Sequence, residues 1–91
     1  MAEQAAGATA SEPAPARLDL RGVRCPLTFV RTRIALDRLP PGVELAVLLD
    51  PGEPAESVPA SCRDDGDRVL ALEPAPEMGR GVVRLRVARP G

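Results

Sequence analysis

The sequence predicts an α/β fold: a two-layer α/β sandwich in which two helices cover one face of a mixed four-stranded sheet. Four segments show the alternating apolar pattern of strands, and two show helical spacing between Pro- and Gly-rich breaks. Their order along the chain is β-α-β-α-β-β. Strand–helix–strand connections favour parallel neighbours with right-handed crossovers, and the last two strands can close as an antiparallel hairpin.

The first strand and the first helix flank a short turn. Leu18 and Leu20 alternate with charged residues, which predicts a half-buried strand that ends at Gly22. Apolar residues then recur at helical spacing from Pro26 to about Leu39. The expected buried face of this helix consists of Leu27, Val30 and Ile34, flanked by Phe29, Ala35 and Leu36.

The next strand is expected at the centre of the sheet. Residues Val43–Leu49 alternate, and Leu48 makes the second face partly apolar as well. The sequence Asp50-Pro51-Gly52 ends this strand.

A second helix can open at Glu53-Pro54 and end at Gly66. Ala55, Val58 and Cys62 fall on one face of it. Pro59 lies inside this helix, and because proline costs about 3 kcal/mol in a regular helix interior, we expect a kink or two short turns. The last two strands are expected at Arg68–Glu73 and Gly81–Ala88.

The length of 91 residues allows one small domain. Residues 1–16 are rich in Ala and Pro without apolar periodicity, which predicts a disordered tail followed by a single domain over residues 17–91. No apolar run is long enough for a membrane span, and the N-terminal segment lacks the basic start and apolar core of a signal peptide. We therefore expect a cytoplasmic protein that does not contact a membrane.

Histidine is absent, which removes the usual partner of a catalytic cysteine and the commonest metal ligand. This argues against a cysteine protease and a structural zinc site, and we expect neither a metal nor a cofactor.

The two cysteines are too few for a secreted disulfide framework, so reduced thiols are expected. Cys62 lies on an apolar stripe, which favours a buried inert thiol over a resolving or second sulfur site.

Cys25-Pro26, between a basic run and the first predicted helix, is the most informative pair in the chain. A helix N-terminus favours thiolate over thiol, which makes Cys25 a candidate nucleophile. Pro26 suits the first helical position. Arg21 and Arg24 add positive charge upstream, although both can also be ordinary surface residues. The alternative for Cys25 is a small apolar residue packed at a strand–helix corner.

The segment Leu18-Asp-Leu-Arg-Gly-Val-Arg-Cys-Pro26 resembles the N-terminal signature of the TusA/SirA/YedF family of small sulfur carriers. Leu36–Gly42, Leu45–Asp50 and Ser57–Cys62 resemble further family segments in order and spacing, so the resemblance covers about Leu18 to Val87. It implies the same two-layer fold and a role in carrying sulfur as a persulfide on Cys25.

The resemblance also implies partners. Family members receive sulfur from cysteine desulfurases or rhodanese-like proteins, and they pass it to acceptors in tRNA thiolation, molybdenum-cofactor maturation or sulfur oxidation. The transfer is formally a sulfurtransferase step, in which the protein behaves more as a carried substrate than as an enzyme. Specificity is then expected to reside in docking, through the basic surface near Cys25 and the first helix.

One position departs from the family motif Cys-Pro-x-Pro, because Thr28 stands where the second proline is usual. If Cys25 is the N-cap, residue 28 is the third helical residue, whose backbone N–H can donate to an N-cap side chain. We hypothesise that this N–H donates to the Cys25 sulfur and favours the thiolate. A lower thiol pKa also tempers nucleophilicity.

Two other functions remain open. The first is a docking or regulatory module in which Cys25 is never loaded and a basic helix binds an acidic partner. The second is a small RNA-binding domain that places Arg31, Arg33 and Arg38 along phosphates. Nucleic-acid binding is the strongest rival from another class, but the balance is against it, because Phe29 is the one aromatic residue and single-strand binders need aromatic side chains for stacking.

Overall fold

The computed structural model of this protein describes residues 16–24 and 26–90. The predicted order of elements is confirmed, and a short 3-10 helix (Pro76–Met78) is added between the last two strands. The predicted tail lies outside the described residues except for Ala16, which begins the first strand. The elements are β1 (Ala16–Asp19), α1 (Leu27–Asp37), β2 (Glu44–Leu49), α2 (Glu53–Asp64), β3 (Arg68–Pro74) and β4 (Val83–Ala88).

The four strands form one mixed sheet in the order β1-β2-β4-β3. β1 runs parallel to β2, while β4 runs antiparallel to both β2 and β3. The register places Val47 of β2 opposite Leu18 on one side and opposite Leu85 on the other. β2 is therefore central, as its pattern predicts. The parallel pairing also brings the carboxyl ends of β1 and β2 to the same edge of the sheet, next to the start of α1.

The core lies between one face of the sheet and the two helices. Its members are the inward residues of β2 and β4, one side chain from α1, two from α2, and Leu20, which directly follows β1. The fully buried members of this cluster are Leu20, Leu36, Leu45, Val47, Leu49, Val58, Cys62, Leu85 and Val87. On the opposite face, Arg86 pairs with Glu44 across the β2–β4 ladder, with 2.5 Å between Nε and Oε2. That face therefore carries charged pairs beside the apolar side chains of Ala46 and Leu48.

The predicted buried face of α1 is wrong. Leu27, Val30 and Ile34 are 49%, 43% and 47% exposed, whereas Thr28, Thr32 and Leu36 are buried. The helix carries apolar residues on two sides, and the sheet covers the side that contains Leu36 together with the partly buried side chains of Phe29, Ala35 and Leu39.

The two buried threonines of α1 explain why the spacing of its apolar residues did not identify the buried face of the helix. Both side chains are fully buried, and the Thr32 hydroxyl donates to the Thr28 carbonyl oxygen at 2.8 Å. A buried hydroxyl with a hydrogen-bond partner avoids the penalty of an unsatisfied polar group.

The predicted buried face of α2 is largely confirmed, since Val58 and Cys62 are fully buried. Pro59 lies inside a single helix that spans Glu53–Asp64, so the expectation of two separate short turns is wrong. Pro59 is itself buried, and its ring adds to the packed face of the helix. The helix ends at Asp64 with Asp65 as its C-cap, and Gly66 follows with a φ of 87°.

The orientation of α1 gives a stability prediction. Leu36→Ala should lower the free energy of unfolding by about 2 to 5 kcal/mol, because it leaves a cavity in the core. Ile34→Ala, on the exposed side of the same helix, should change it by less than about 1 kcal/mol. Urea denaturation followed by circular dichroism measures both. Equal losses in the two variants would contradict the observed orientation of α1.

Candidate functional site

Cys25 lies outside the described residues, but the chain on either side of it is described. Upstream, the Val23 N–H donates to the Leu20 carbonyl oxygen at 3.1 Å, which closes a tight turn. Gly22 has a φ of 79° in this turn, a conformation that glycine adopts without a steric penalty. The Leu20 N–H donates to the Leu48 carbonyl oxygen at 3.0 Å, so the turn begins on the edge of the sheet.

Asp50 holds this turn against the end of β2. Its carboxylate accepts a hydrogen bond from the Gly22 N–H at 2.7 Å. The contact exists because parallel strands end at the same edge, so the residue after β2 reaches the turn after β1. The sequence Asp50-Pro51-Gly52 indicated a strand end, but nothing in it indicated the distant partner.

Arg21 is engaged away from α1. Its guanidinium forms an ion pair with Asp19, with 2.5 Å between the closest nitrogen and oxygen, and donates to the Met78 carbonyl oxygen at 2.6 Å. The hydrogen bonds from Arg21 lower the pKa of the Asp19 carboxyl to about 2. Arg21 thus ties β1 to the 3-10 helix. Arg24 is exposed, and no ion pair joins it to another described residue.

Downstream of Cys25, the chain enters α1 one residue later than expected. Pro26 occupies the N-cap position with a φ of −88° and a ψ of 5°, outside the helical well, so its predicted place as the first helical residue is wrong. Thr28 is then the second helical residue and not the third. The Leu27 N–H donates to the Arg24 carbonyl oxygen at 2.9 Å, which brings together the two flanks of the Cys25-Pro26 pair.

Arg33 fixes α1 to the turn that follows α2. Its guanidinium contacts Asp67 at 2.5 Å and Asp65 at 3.2 Å, and it also reaches Asp37 on its own helix. The Asp67 side chain is only 2% exposed, so this pair is largely removed from water. The hydrogen bonds that the Arg33 guanidinium donates to the Asp67 carboxylate raise the pKa of Arg33. The ion pairs hold the position of α1, and therefore the direction of its N-terminus.

Cys62 is not at this site. It is fully buried in the core, and burial raises the pKa of its thiol to about 11. A thiol with that pKa is protonated at neutral pH and is shielded from reagents. The structure confirms that this thiol is buried, as expected.

A cavity of about 550 Å³ lies elsewhere, on the uncovered face of the sheet. Its walls include Ala46, Leu48 and Met78, bordered by the Arg86–Glu44 pair.

Within residues 16–24 and 26–90, no cluster of three or more His, Cys, Asp or Glu side chains could hold a metal ion. None of the helices in the same ranges is long and apolar enough to cross a membrane.

The fold and this site define a small α/β domain with a Cys-Pro pair between its first strand and first helix. A family model described as "Sulfurtransferase TusA" matches residues 16–89, and the chain therefore belongs to this family. A curated relative from Archaeoglobus fulgidus, "Putative sulfur carrier protein", is 38% identical over 56 residues, or 62% of this chain. The chain spans about 64% of the length of that relative. Both names refer to sulfur transfer.

The buried thiol gives a pH prediction. The pKa of Cys62 rises on folding from an ordinary value of 9.0 to about 11, so the folded state retains the proton longer. The resulting stabilisation is complete below pH 9 and should be lost as the pH rises from 9 to 11, by about 2 to 3 kcal/mol. All twelve basic residues are arginine and tyrosine is absent, so few other groups titrate in this range.

The measurement is urea denaturation between pH 7 and pH 11 in a Cys25→Ser background. The matched control adds Cys62→Ala, which has a lower starting stability and should show a much flatter pH profile. The same decline in both proteins would show that Cys62 is not its cause.

Proposed function

We propose that this protein is a sulfur carrier that accepts sulfur as a persulfide on Cys25 and relays it to an acceptor protein. The observation that carries the proposal is the position of Cys25-Pro26. The pair joins a turn held by Asp50 to the N-terminus of α1, in a chain that belongs to the TusA family. The oriented N–H groups of a helix N-terminus favour an anionic sulfur.

The proposed reaction consists of two thiolate exchanges. First, the Cys25 thiolate attacks the outer sulfur of a donor persulfide, and the donor cysteine leaves as a thiolate. Second, an acceptor thiolate attacks the outer sulfur on Cys25, and the Cys25 thiolate leaves. Each step breaks one sulfur–sulfur bond and forms another, so no external oxidant or reductant is needed.

Four residues are proposed to support Cys25. Arg24 is exposed and its charge is not paired with a described residue, so it can favour an anionic sulfur or attract an acidic partner. Arg21 is proposed to act mainly on the shape of the turn, because its charge is compensated by Asp19. Pro26 sets the entry into α1. The Thr28 N–H is proposed to donate to the Cys25 sulfur from the second helical position, because the N–H groups of the first helical turn point toward the residues that precede the helix.

The proposed partners are those implied by the family. A cysteine desulfurase or a rhodanese-like protein is proposed as donor, and a protein of tRNA thiolation, molybdenum-cofactor maturation or sulfur metabolism as acceptor. A cytoplasmic location is proposed as well, because such donors and acceptors act there.

One contact weakens the RNA-binding alternative. Of the three arginines proposed to contact phosphates, Arg33 is already bound to Asp67 and Asp65. Arg31 and Arg38 alone supply little of the electrostatic attraction on which nucleic-acid binding depends. A docking module that is never loaded with sulfur remains the main alternative.

Sulfur loading distinguishes these functions. After incubation with a cysteine desulfurase and cysteine, intact mass spectrometry should show a gain of one sulfur atom that is lost on reduction. The gain should persist in Cys62→Ser, because that thiol is buried, and should be absent in Cys25→Ser. If several donors, and inorganic polysulfide as well, produce no gain in the wild-type chain, the sulfur-carrier function is wrong.

Thr28→Pro tests the role of the residue that departs from the family motif. Proline removes the backbone N–H proposed to donate to the Cys25 thiolate, so the thiol pKa of Cys25 should rise. Alkylation rates measured as a function of pH in a Cys62→Ser background give that pKa, and Thr28→Ala, which keeps the N–H, is the matched control. An unchanged or lower pKa in Thr28→Pro would contradict this role.

A further inference from the structure

The cavity on the uncovered face of the sheet takes no part in the proposed sulfur chemistry. Its volume of about 550 Å³ lies within the range of small-molecule sites in proteins. All four strands and the 3-10 helix contribute to its walls. We call it the open-face cavity, and its lining indicates which class of ligand it suits.

The floor of the open-face cavity is apolar. Ala46 and Leu48 alternate along β2 with side chains that are buried in the core, so both lie on the uncovered face. Met78 adds an apolar wall at the end nearest the turn after β1, where its carbonyl oxygen accepts a hydrogen bond from Arg21. An occupant of the cavity therefore gains free energy by covering apolar surface.

The charged side chains around this floor are paired, with one exception. Three ion pairs border the cavity, and they are Arg86–Glu44, Arg84–Glu77 and Asp19–Arg21. Glu73 lies 3.9 Å from both Arg84 and Arg86. Arg17 is exposed, and no carboxylate of the described residues pairs with it. An anion in the cavity therefore meets one guanidinium that has no competing partner.

The sheet register places Arg17 beside a gap in this surface. Arg17 lies opposite Ala46, which in turn lies opposite Arg86 on the next strand. Neighbouring strands are about 4.8 Å apart, so a single methyl group separates two arginine positions that are about 10 Å apart. A carboxylate above Ala46 is within reach of Arg17, whose planar guanidinium can bind both carboxylate oxygens.

We infer that the open-face cavity binds a small monocarboxylate with an apolar body. The carboxylate lies above Ala46 against Arg17, and the apolar part extends along Leu48 toward Met78. Apolar contact supplies affinity, and the guanidinium selects an anion over a neutral molecule of the same shape. The site does not use Cys25, so the inference is independent of the proposed sulfur-carrier function.

Other occupants suit the cavity less well. A metal ion needs carboxylates that are free to bind it, whereas the acids that line this cavity lie beside arginines. A nucleic acid needs several unpaired cations and aromatic side chains, and neither is found among the described lining residues. A second copy of the chain would present the same face, on which no unpaired carboxylate could meet Arg17.

Octanoate is the probe for this site, and octanol is its uncharged counterpart. Each is titrated into the full, isotopically labelled chain in reducing buffer, and backbone amide shifts are followed by NMR. We expect octanoate to give saturable shifts at Ala46, Leu48 and Met78, with a Kd of about 1 mM, and none along the exposed side of α1. Octanol should bind about tenfold more weakly, because it lacks the charged contact with Arg17.

Two pairs of variants test the location of the site. Arg17→Gln should weaken octanoate binding about tenfold, whereas Arg68→Gln, on the same face but outside the cavity, should leave it unchanged. Ala46→Leu should also weaken binding about tenfold, because the larger side chain fills the floor. Its control is Ala71→Leu, since Ala71 lies opposite Arg86 in the same row of the sheet and outside the cavity. The amide spectrum shows whether each variant is folded.

Three results would overturn the inference. The first is the absence of saturable shifts when octanoate is added to the wild-type chain. The second is equal binding of octanol and octanoate, or an equal loss of affinity in the control variants, which would indicate apolar adhesion without a site. The third is the same set of shifts on dilution of the ligand-free chain, which would assign the cavity to a second copy. None of these results depends on sulfur loading, which the mass measurements on Cys25→Ser test separately.

Discussion

The packing of α1 on the sheet through Leu36 is the interaction on which the rest of the arrangement depends. One face of the sheet must be covered by two short helices, and Leu36 joins the cluster that contains Leu45, Val47 and Leu49. Because the sheet fixes one side of α1, the opposite side is left to solvent. The burial of Thr28 and Thr32 follows from the same constraint, and so does the exposure of an apolar ridge on the outer side.

The same packing places the start of α1 next to the turn after β1, which is fixed by hydrogen bonds and an ion pair on two sides. Asp50 binds the Gly22 N–H from the end of β2, and Arg21 connects the turn to Asp19 and to the 3-10 helix. Arg33 holds the body of α1 through Asp67. A sulfur carrier must exchange sulfur with large protein partners without a catalytic apparatus of its own. A rigid platform that leaves one helix face free for docking suits that task.

Sequence periodicity predicted the fold well because strands and turns have strong local signals. The alternating pattern of β2 and the Asp50-Pro51-Gly52 break are examples, and both are found as expected. The buried face of α1 was not predictable in this way. That helix has apolar residues on two sides, and which side is buried depends on which one packs against the sheet. The contacts made by Asp50 and Arg33 were also missed, because they join residues that only the fold brings together.

Site-resolved mass spectrometry of the loaded wild-type chain can show whether Cys25 carries the sulfur. The chain would be loaded from a desulfurase with isotopically labelled cysteine, its persulfide capped by alkylation, and its peptides sequenced by fragmentation. We expect the labelled sulfur on Cys25 and none on Cys62, which is buried with a raised thiol pKa. Labelled sulfur on Cys62, or an unlabelled Cys25 in a chain whose mass has increased, would contradict it.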